Sequence, residues 1–186
     1  PFMKAEVTYR IDGNGRLAIH CEGETADKVA FLPRLGIRLF LPKSFNRFDY
    51  LGFGPYESYI DKHQASYFGA FGGRVCDAFE DYVRPQENGS HWGCKHLAVR
   101  NKDAEICFTA PSAFSFNVSE YTQEELAAKR HNFELEKCRD TVLCVDSEMA
   151  GVGSASCGPA LDARYRITLP HVSLDLCMEI RPAEKK

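Results

Sequence analysis

Apolar and polar residues alternate in short runs along most of this chain. In the run RLGIRLFLP, the apolar residues Leu35, Ile37, Leu39 and Leu41 occupy every second position. Because successive side chains of a strand point to opposite faces, this spacing predicts a strand with one buried face. Similar runs recur with turn signals between them, among them FDYLGFGP, ASYFGAFGGRV, AFSFNVS, RHNFELEKCRDTVLCVDS and ARYRITLPHVSLDLCMEIRP. The pattern predicts an all-β sandwich.

Two local signals predict a hairpin and a helix. The segment Asp12-Gly13-Asn14-Gly15 separates two strand-like runs, and its glycines suit the positive-φ positions of a hairpin loop. Thr122 is followed three residues later by Glu125, which is the spacing of a capping box. Good helix formers follow, so we expect one short helix of two or three turns near 122–131.

Length and composition limit the class of protein. The chain has 186 residues, 44% of them hydrophobic, which is enough for one domain with a real core. The net charge of −3 does not indicate a nucleic-acid or membrane-surface partner, and no apolar run is long enough to cross a bilayer. Since the chain starts at Pro1 and enters a strand at once, we expect it to be a piece of a longer protein.

The eight cysteines favour a reduced, cytoplasmic protein. Most lie inside apolar runs such as EICFTA and TVLCVD, where a free cysteine behaves as a small buried hydrophobe. The chain contains no CxxC pair, which argues against a structural zinc site. The cysteines are Cys21, Cys76, Cys94, Cys107, Cys138, Cys144, Cys157 and Cys177.

The stretch YLGFGPYESYIDK carries two acidic candidates, Glu57 and Asp61. It lacks the third glycine and the lysine of a phosphate-binding loop, so a nucleotide site is a weak interpretation. The favoured interpretation is a glycine–proline turn whose carboxylates hydrogen-bond to neighbouring backbone.

The stretch YVRPQENGSHWG fits two interpretations equally well, a binding site and a structural turn. Arg84 and Glu87 are placed to pair, Asn88 and the following glycine favour a tight turn, and Trp92 offers a flat apolar ring for a sugar face. A retaining glycosidase needs two carboxylates about 5 Å apart, and no pair in the chain is singled out by spacing. His131 and Glu134, three residues apart, indicate a C-terminal helix cap or a surface pair rather than a metal site.

Four stretches, in order, resemble the C-terminal domain of glycoside hydrolase family 2 β-galactosidases, the small-chain domain. They are RLGIRLFLPKSFNRFDYLGFGPYESYIDK, YVRPQENGSHWG, FSFNVSEYTQEELAAKRHNFEL and DSEMAGVGSASCGP, and the similarity extends from about residue 5 to residue 181. The resemblance implies an antiparallel β super-sandwich like that of galactose mutarotases. The chain, residues 1–186, is then expected to be a single domain, excised from the C-terminal part of a larger multidomain glycosidase.

The resemblance also implies a function. In the family the catalytic glutamates lie on a separate (β/α)8 barrel, so no catalytic residue is expected here. The domain would pack on that barrel and the other domains of the chain and would help shape the pocket for a galactoside such as lactose, in an enzyme that is commonly a homo-oligomer. No cofactor or metal is expected in this domain, whereas full-length members often use Mg²⁺ and Na⁺ or K⁺ on the barrel.

The small-residue loop departs from the family pattern. Where well-known members carry a tryptophan that stacks on the substrate sugar, this chain has Cys157. Stacking by that residue is therefore not available, and the loop would approach the pocket through Ser156, Cys157 and Gly158. The expected substrate-binding residues are Ser156, Cys157, Gly158, Glu57, Arg84, Glu87, Asn88 and Trp92.

Two alternatives belong to other classes. An autonomous carbohydrate-binding module would line a cleft with Tyr56, Glu57, Arg84, Glu87 and Trp92. A mutarotase-like epimerase would need an acid and a base, which only the following set can supply. Its members are Glu87, His91, His96, His131 and Glu134.

Overall fold

Eleven strands form two antiparallel sheets in a computed structural model that describes residues 1–153 and 160–183. The strands are β1 (Met3–Ile11), β2 (Arg16–Thr25), β3 (Arg34–Leu41), β4 (Arg47–Gly54), β5 (Tyr67–Arg74), β6 (Ser90–Cys94), β7 (His96–Arg100), β8 (Ala104–Thr109), β9 (Phe114–Ser119), β10 (Thr141–Met149) and β11 (His171–Pro182). One sheet has the order β1-β2-β11-β8-β7-β4-β5, and the other has the order β3-β10-β9-β6. The predicted all-β sandwich is confirmed.

The hydrophobic core combines side chains of both sheets. Phe108 on β8 of the larger sheet and Phe116 and Val145 on the smaller sheet are completely buried in one cluster. Strand β3 follows the predicted alternation, since Leu35 and Leu41 are buried and the intervening even-numbered positions are exposed. Burial of these apolar faces is the main favourable contribution to folding.

The predicted hairpin connects β1 and β2, which pair from Met3 opposite Thr25 to Ile11 opposite Leu17. The carboxylate of Asp12 accepts hydrogen bonds from the backbone N–H groups of Asn14 and Arg16, at 2.8 and 3.0 Å. Gly15 adopts φ +79°, a region that glycine enters without steric cost.

The helix is present but shorter than predicted. Helix α1 (Gln123–Ala128) begins after Thr122, whose hydroxyl accepts the N–H of Glu125 at 3.1 Å. It ends at Ala128 because two glutamates bind backbone groups beyond it: Glu125 accepts the N–H of Glu136, and Glu134 accepts those of Arg130 and His131. These bonds compete with continued helix. Of the two expectations for His131 and Glu134, the surface pair is confirmed and the C-terminal cap of α1 is wrong, because the two residues form the capping box that begins a separate 3₁₀ turn.

Two predicted strand runs are strands only in their second halves. The residues Ala163–Tyr165 form a 3₁₀ turn, and β11 starts later, at His171. Asp162 initiates the turn by accepting the N–H of Arg164 at 3.0 Å. In the run RHNFELEKCRDTVLCVDS, β10 likewise begins only at Thr141, and the 3₁₀ turn Asn132–Glu134 comes earlier in that run. Side-chain bonds to local backbone therefore override the apolar pattern in both runs.

The seven cysteines in the described residues are all free, and Cys94, Cys107 and Cys144 are buried, as the apolar surroundings predicted. Within residues 1–153 and 160–183, no helix has the length and apolar character required to cross a membrane.

Candidate functional site

A cleft of about 640 Å³ lies where the start of β3, the segment after β4, the segment before β6 and the end of β10 meet. Its volume is within the range of small-molecule sites in proteins. Arg34, Glu57, Lys62, Tyr82 and Glu87 contribute polar groups to its walls. With Gln123 at the start of α1, five separate segments of the chain therefore build one concave surface.

Arg34 joins the edge strand β3 of the smaller sheet to its neighbour β10 through a buried ion pair. Its Nε and Nη2 donate to Oδ1 and Oδ2 of Asp146 at 3.1 and 2.6 Å, a bidentate arrangement. Gly36 leaves room for this carboxylate, because a Cβ there would lie 2.3 Å from Asp146 Oδ1. Burial raises the pKa of Asp146, and the guanidinium of Arg34 opposes this shift.

Glu87 shares the same guanidinium. Its Oε2 accepts from Arg34 Nη1 at 3.3 Å, whereas its Oε1 is buried and has no hydrogen-bond partner among the described residues. Burial raises the pKa of Glu87 to about 7, and the negative charges of Asp146 and Glu57 add to the shift that Arg34 opposes. The predicted pairing of Glu87 with Arg84 is wrong, since Arg34 is the partner and Arg84 is exposed.

Glu57 connects the segment after β4 to the segment before β6. Its Oε1 accepts from Lys62 Nζ and Tyr82 Oη, and its Oε2 accepts the backbone N–H of Gly89 at 2.7 Å. Burial raises the pKa of Tyr82, and the hydrogen bond to Glu57 adds to this. The interpretation of Glu57 as a residue that holds neighbouring backbone is confirmed.

Asp61 holds the start of the small-residue loop. Its two carboxylate oxygens accept the N–H groups of Val152 and Gly153 at 3.0 and 2.9 Å. A Cβ on Gly151 would lie 2.5 Å from the Asp61 carboxyl carbon, so glycine is needed for this close approach. The interpretation of Asp61 as a backbone anchor is confirmed as well.

Asn88 and Trp92, although near Glu87 in sequence, have different surroundings. The side chain of Asn88 is used within its own turn, where it accepts the N–H of Glu80 at 3.0 Å and donates to Gln86 O at 2.8 Å. The Trp92 ring stacks on His63 with centroids 4.5 Å apart, and it lines a different, smaller pocket of about 140 Å³. The single cleft expected to join Arg84, Glu87 and Trp92 is therefore not present.

The residues of the expected epimerase set are divided between a buried histidine, His91, and an exposed pair in which His131 Nδ1 lies 3.5 Å from Glu134 Oε2. His91 is buried, and its Nδ1 lies 2.9 Å from the hydroxyl of Tyr50. Burial lowers the pKa of His91 to about 4, so the ring is neutral at neutral pH. The carboxylate of Glu134 is engaged with the backbone of Arg130 and His131.

Sequence reasoning missed Arg34 and Tyr82 as cleft residues, and it missed Asp146 as the buried partner of Arg34. A signal for Asp146 exists, because a charged residue directly after the fully buried run Val142–Val145 needs a charged partner inside the fold. No comparable signal marks its partner. The expected binding residues Ser156, Cys157 and Gly158 lie outside the described residues. Within the described residues, no cluster of His, Cys, Asp and Glu forms a metal site.

The fold and the cleft define a class of protein: an all-β sandwich domain whose buried carboxylates hold loops around a polar cleft. A family model described as "Beta galactosidase small chain" matches residues 1–178, and the chain belongs to this family.

Known relatives match the chain over most of its length. A β-galactosidase of Actinobacillus pleuropneumoniae is 41% identical over 165 residues, which are 89% of this chain and 16% of that protein. A β-galactosidase of Staphylococcus xylosus is 37% identical over 92% of this chain and 17% of its own length. One of Lactobacillus delbrueckii subsp. bulgaricus is 32% identical over 86% of this chain and 16% of its own length. The chain thus spans about a sixth of the relatives that it matches.

Proposed function

We propose that this domain acts in a glycoside hydrolase family 2 β-galactosidase, which hydrolyses terminal β-D-galactosides such as lactose. It would pack on the catalytic barrel, which lies elsewhere in the enzyme, and would help shape the sugar pocket. The chemistry, and any Mg²⁺, Na⁺ or K⁺ ions that assist it, would belong to the barrel. The described residues of this domain offer no ligand cluster for such ions.

The observation that carries this proposal is the double hydrogen bond from Val152 and Gly153 to Asp61. It fixes the start of the small-residue loop, and Asp61 itself follows the segment that Glu57 ties to Gly89. Loops that contact a substrate are best presented from such a rigid scaffold. Ser156, Cys157 and Gly158 would extend from this anchored base toward the sugar.

Exposed aromatic residues support packing on another domain or subunit. Tyr67 and Phe68 are exposed at the start of β5, an edge strand of the larger sheet, and Tyr56 is exposed in the segment that follows the neighbouring β4. Aromatic side chains are enriched in contacts between proteins relative to the rest of the surface. We propose that this edge contributes to contacts with the rest of the enzyme, within one chain or in a homo-oligomer.

A chimeric enzyme tests the proposal. The matching segment of the Actinobacillus pleuropneumoniae β-galactosidase is replaced by this chain, and hydrolysis of a chromogenic galactoside is measured. We expect the chimera to be active and the isolated 186-residue chain to be inactive. In the chimera, Asp61→Asn is expected to raise KM, while Asp77→Asn, which alters an exposed ion pair with Arg74, serves as the matched control. Hydrolysis by the isolated chain would contradict the proposal.

A further inference from the structure

Strand β1 lies at one edge of the larger sheet, and no strand of the described residues pairs with its outer side. On its inner side it pairs with β2 along its whole length, with no bulge and no proline. A long and regular edge strand presents a row of N–H and C=O groups to which another chain can pair.

The backbone groups that point away from β2 belong to the odd-numbered residues of β1. At the two ends of the hairpin, Asp12 N–H donates to Arg16 O at 3.1 Å and Ala26 N–H donates to Phe2 O at 2.9 Å. Both bonds use even-numbered residues of the first strand. In an antiparallel ladder these positions alternate with positions whose N–H and C=O point to the other side. The odd-numbered residues therefore carry the outward groups.

The odd-numbered side chains also form an exposed apolar stripe. Val7, Tyr9 and Ile11 lie on one face of β1 and are 44, 65 and 75% exposed. Ile19, opposite Tyr9 on β2, is buried in the core, so the stripe continues the core-facing side of the larger sheet. A further strand beside β1 would remove part of this apolar surface from water.

The charged residues of β1 lie on its other face, where Lys4, Glu6 and Arg10 are all exposed. Glu6 lies directly opposite Glu22 of β2. Like charges in that position are destabilising, so a cation on the outer side of Glu6 relieves the repulsion. A second copy of β1 brings such a cation.

The charges select one register for two antiparallel β1 strands. With Thr8 on a two-fold axis, Glu6 of each copy lies opposite Arg10 of the other. Lys4 likewise lies opposite Asp12. The adjacent register in one direction sets Lys4 against Arg10, and the adjacent one in the other direction sets Glu6 against Asp12. The next register after the first sets Glu6 against its own copy, and larger shifts pair a shorter part of the strand.

We propose that β1 is a homodimer interface, in which two copies pair their β1 strands about an axis at Thr8 and join their larger sheets into one. Odd-numbered residues of both strands exchange backbone hydrogen bonds, and Val7 of each copy packs beside Tyr9 of the other. The contact is self-complementary, so it closes as a dimer. It requires neither catalysis nor a sugar. A monomeric chain therefore leaves the proposed function intact, and an inactive chimera leaves the dimer intact.

The test is sedimentation equilibrium of the 186-residue chain over a concentration series that reaches the millimolar range. We expect a reversible equilibrium between monomer and dimer. A chain that stays monomeric throughout would overturn the proposal and would leave the β1 edge to a strand from elsewhere in the enzyme.

Charge reversal tests the register. Glu6→Arg and Arg10→Glu each oppose like charges in two symmetry-related pairs, so we expect dimerisation weaker by about tenfold or more. The double variant exchanges the charges and should dimerise like the wild type. Glu136→Arg, at a side chain that is 86% exposed, is the matched control and should also dimerise like the wild type. A double variant as weak as the single variants would refute the proposal.

A cross-link reports the position of the axis. In a Cys76→Ser background, which removes an exposed cysteine, Thr8→Cys should give a disulfide-linked dimer on mild oxidation. The two side chains face each other across the axis at a separation that a disulfide spans. Lys4→Cys in the same background is the control and should stay monomeric under denaturing conditions. Cross-linking through Lys4→Cys but not through Thr8→Cys would contradict the register.

Discussion

Arg34 on β3 donates two hydrogen bonds of 3.1 and 2.6 Å to the carboxylate of Asp146 on β10. The third nitrogen of the same guanidinium donates to Glu87. One buried cation therefore joins two strands of the smaller sheet to the segment that precedes β6. This arrangement sets both the shape and the charge of the cleft.

Removing one partner of the Arg34–Asp146 ion pair should strongly lower the free energy of unfolding. Asp146→Ala leaves Arg34 buried without its main counter-charge, so we expect a loss of about 3–5 kcal/mol in the free energy of unfolding, measured with urea. The double replacement Arg34→Met with Asp146→Leu should recover part of that loss, because neither charge of the pair is then buried, whereas Glu87 still loses its cationic partner. Arg74→Ala, in an exposed pair with Asp77, is the control and should cost less than about 1 kcal/mol. A double variant less stable than Asp146→Ala would contradict the account.

Glu87 should make stability fall with rising pH in a defined window. With a pKa of about 7 against an ordinary 4.5, the folded protein holds this proton between these values and the unfolded chain does not. Stability then decreases as pH rises from about 4.5 to about 7, by up to about 3 kcal/mol from this group. The difference in unfolding free energy between Glu87→Gln and wild type should therefore grow in favour of the variant over that range.

The matched control for this prediction is Glu136→Gln, because the Glu136 side chain is 86% exposed. Its urea midpoints should run parallel to those of the wild type from pH 4.5 to 8. Parallel curves for Glu87→Gln would refute the raised pKa of Glu87.

Two histidines should titrate on opposite sides of the ordinary value. Burial lowers the pKa of His91 to about 4, whereas the hydrogen bond that the ring of the exposed His20 donates to Asp175 raises the pKa of His20. For His91 the unfolded chain binds the proton first, so its contribution to stability is lost as pH falls from about 6.5 to about 4. NMR of the ring signals against pH checks both directions. Asp175→Asn should lower the pKa of His20 and leave that of His91 unchanged. Equal pKa values for the two rings in the wild type would contradict the prediction.

Gly36 should not tolerate a side chain. A Cβ at this position would lie 2.3 Å from Asp146 Oδ1 and 2.4 Å from the carbonyl oxygen of Val145. We expect Gly36→Ala to cost about 1–3 kcal/mol in unfolding free energy through displacement of the strand. Gly13→Ala, where no atom lies within 4 Å, is the control and should change stability little. Equal stability of the two variants would exclude close packing as the reason for glycine.

The sequence predicted the elements better than the site. The alternation in β3 and the glycines of the first hairpin are local signals, and the structure follows them. The predicted length of α1 was too long, because Glu125 and Glu134 accept hydrogen bonds from backbone N–H groups beyond Ala128. The spacing of residues in the sequence does not reveal which backbone groups these side chains bind.

The sequence by itself determined the all-β class and the order of stretches that marks the family, and it indicated Glu57 and Asp61 as acceptors for backbone without indicating the distant groups, those of Gly89, Val152 and Gly153, that they bind. Only the tertiary structure decided that Glu87 pairs with Arg34 rather than with Arg84, and that Trp92 faces a different pocket. The physical reason is that alternation and turn chemistry act between near neighbours. The ion pairs of Arg34 depend instead on the order and register of the strands. These bring Arg34 to Glu87, which is 53 positions away in the chain, and to Asp146, which is 112 positions away.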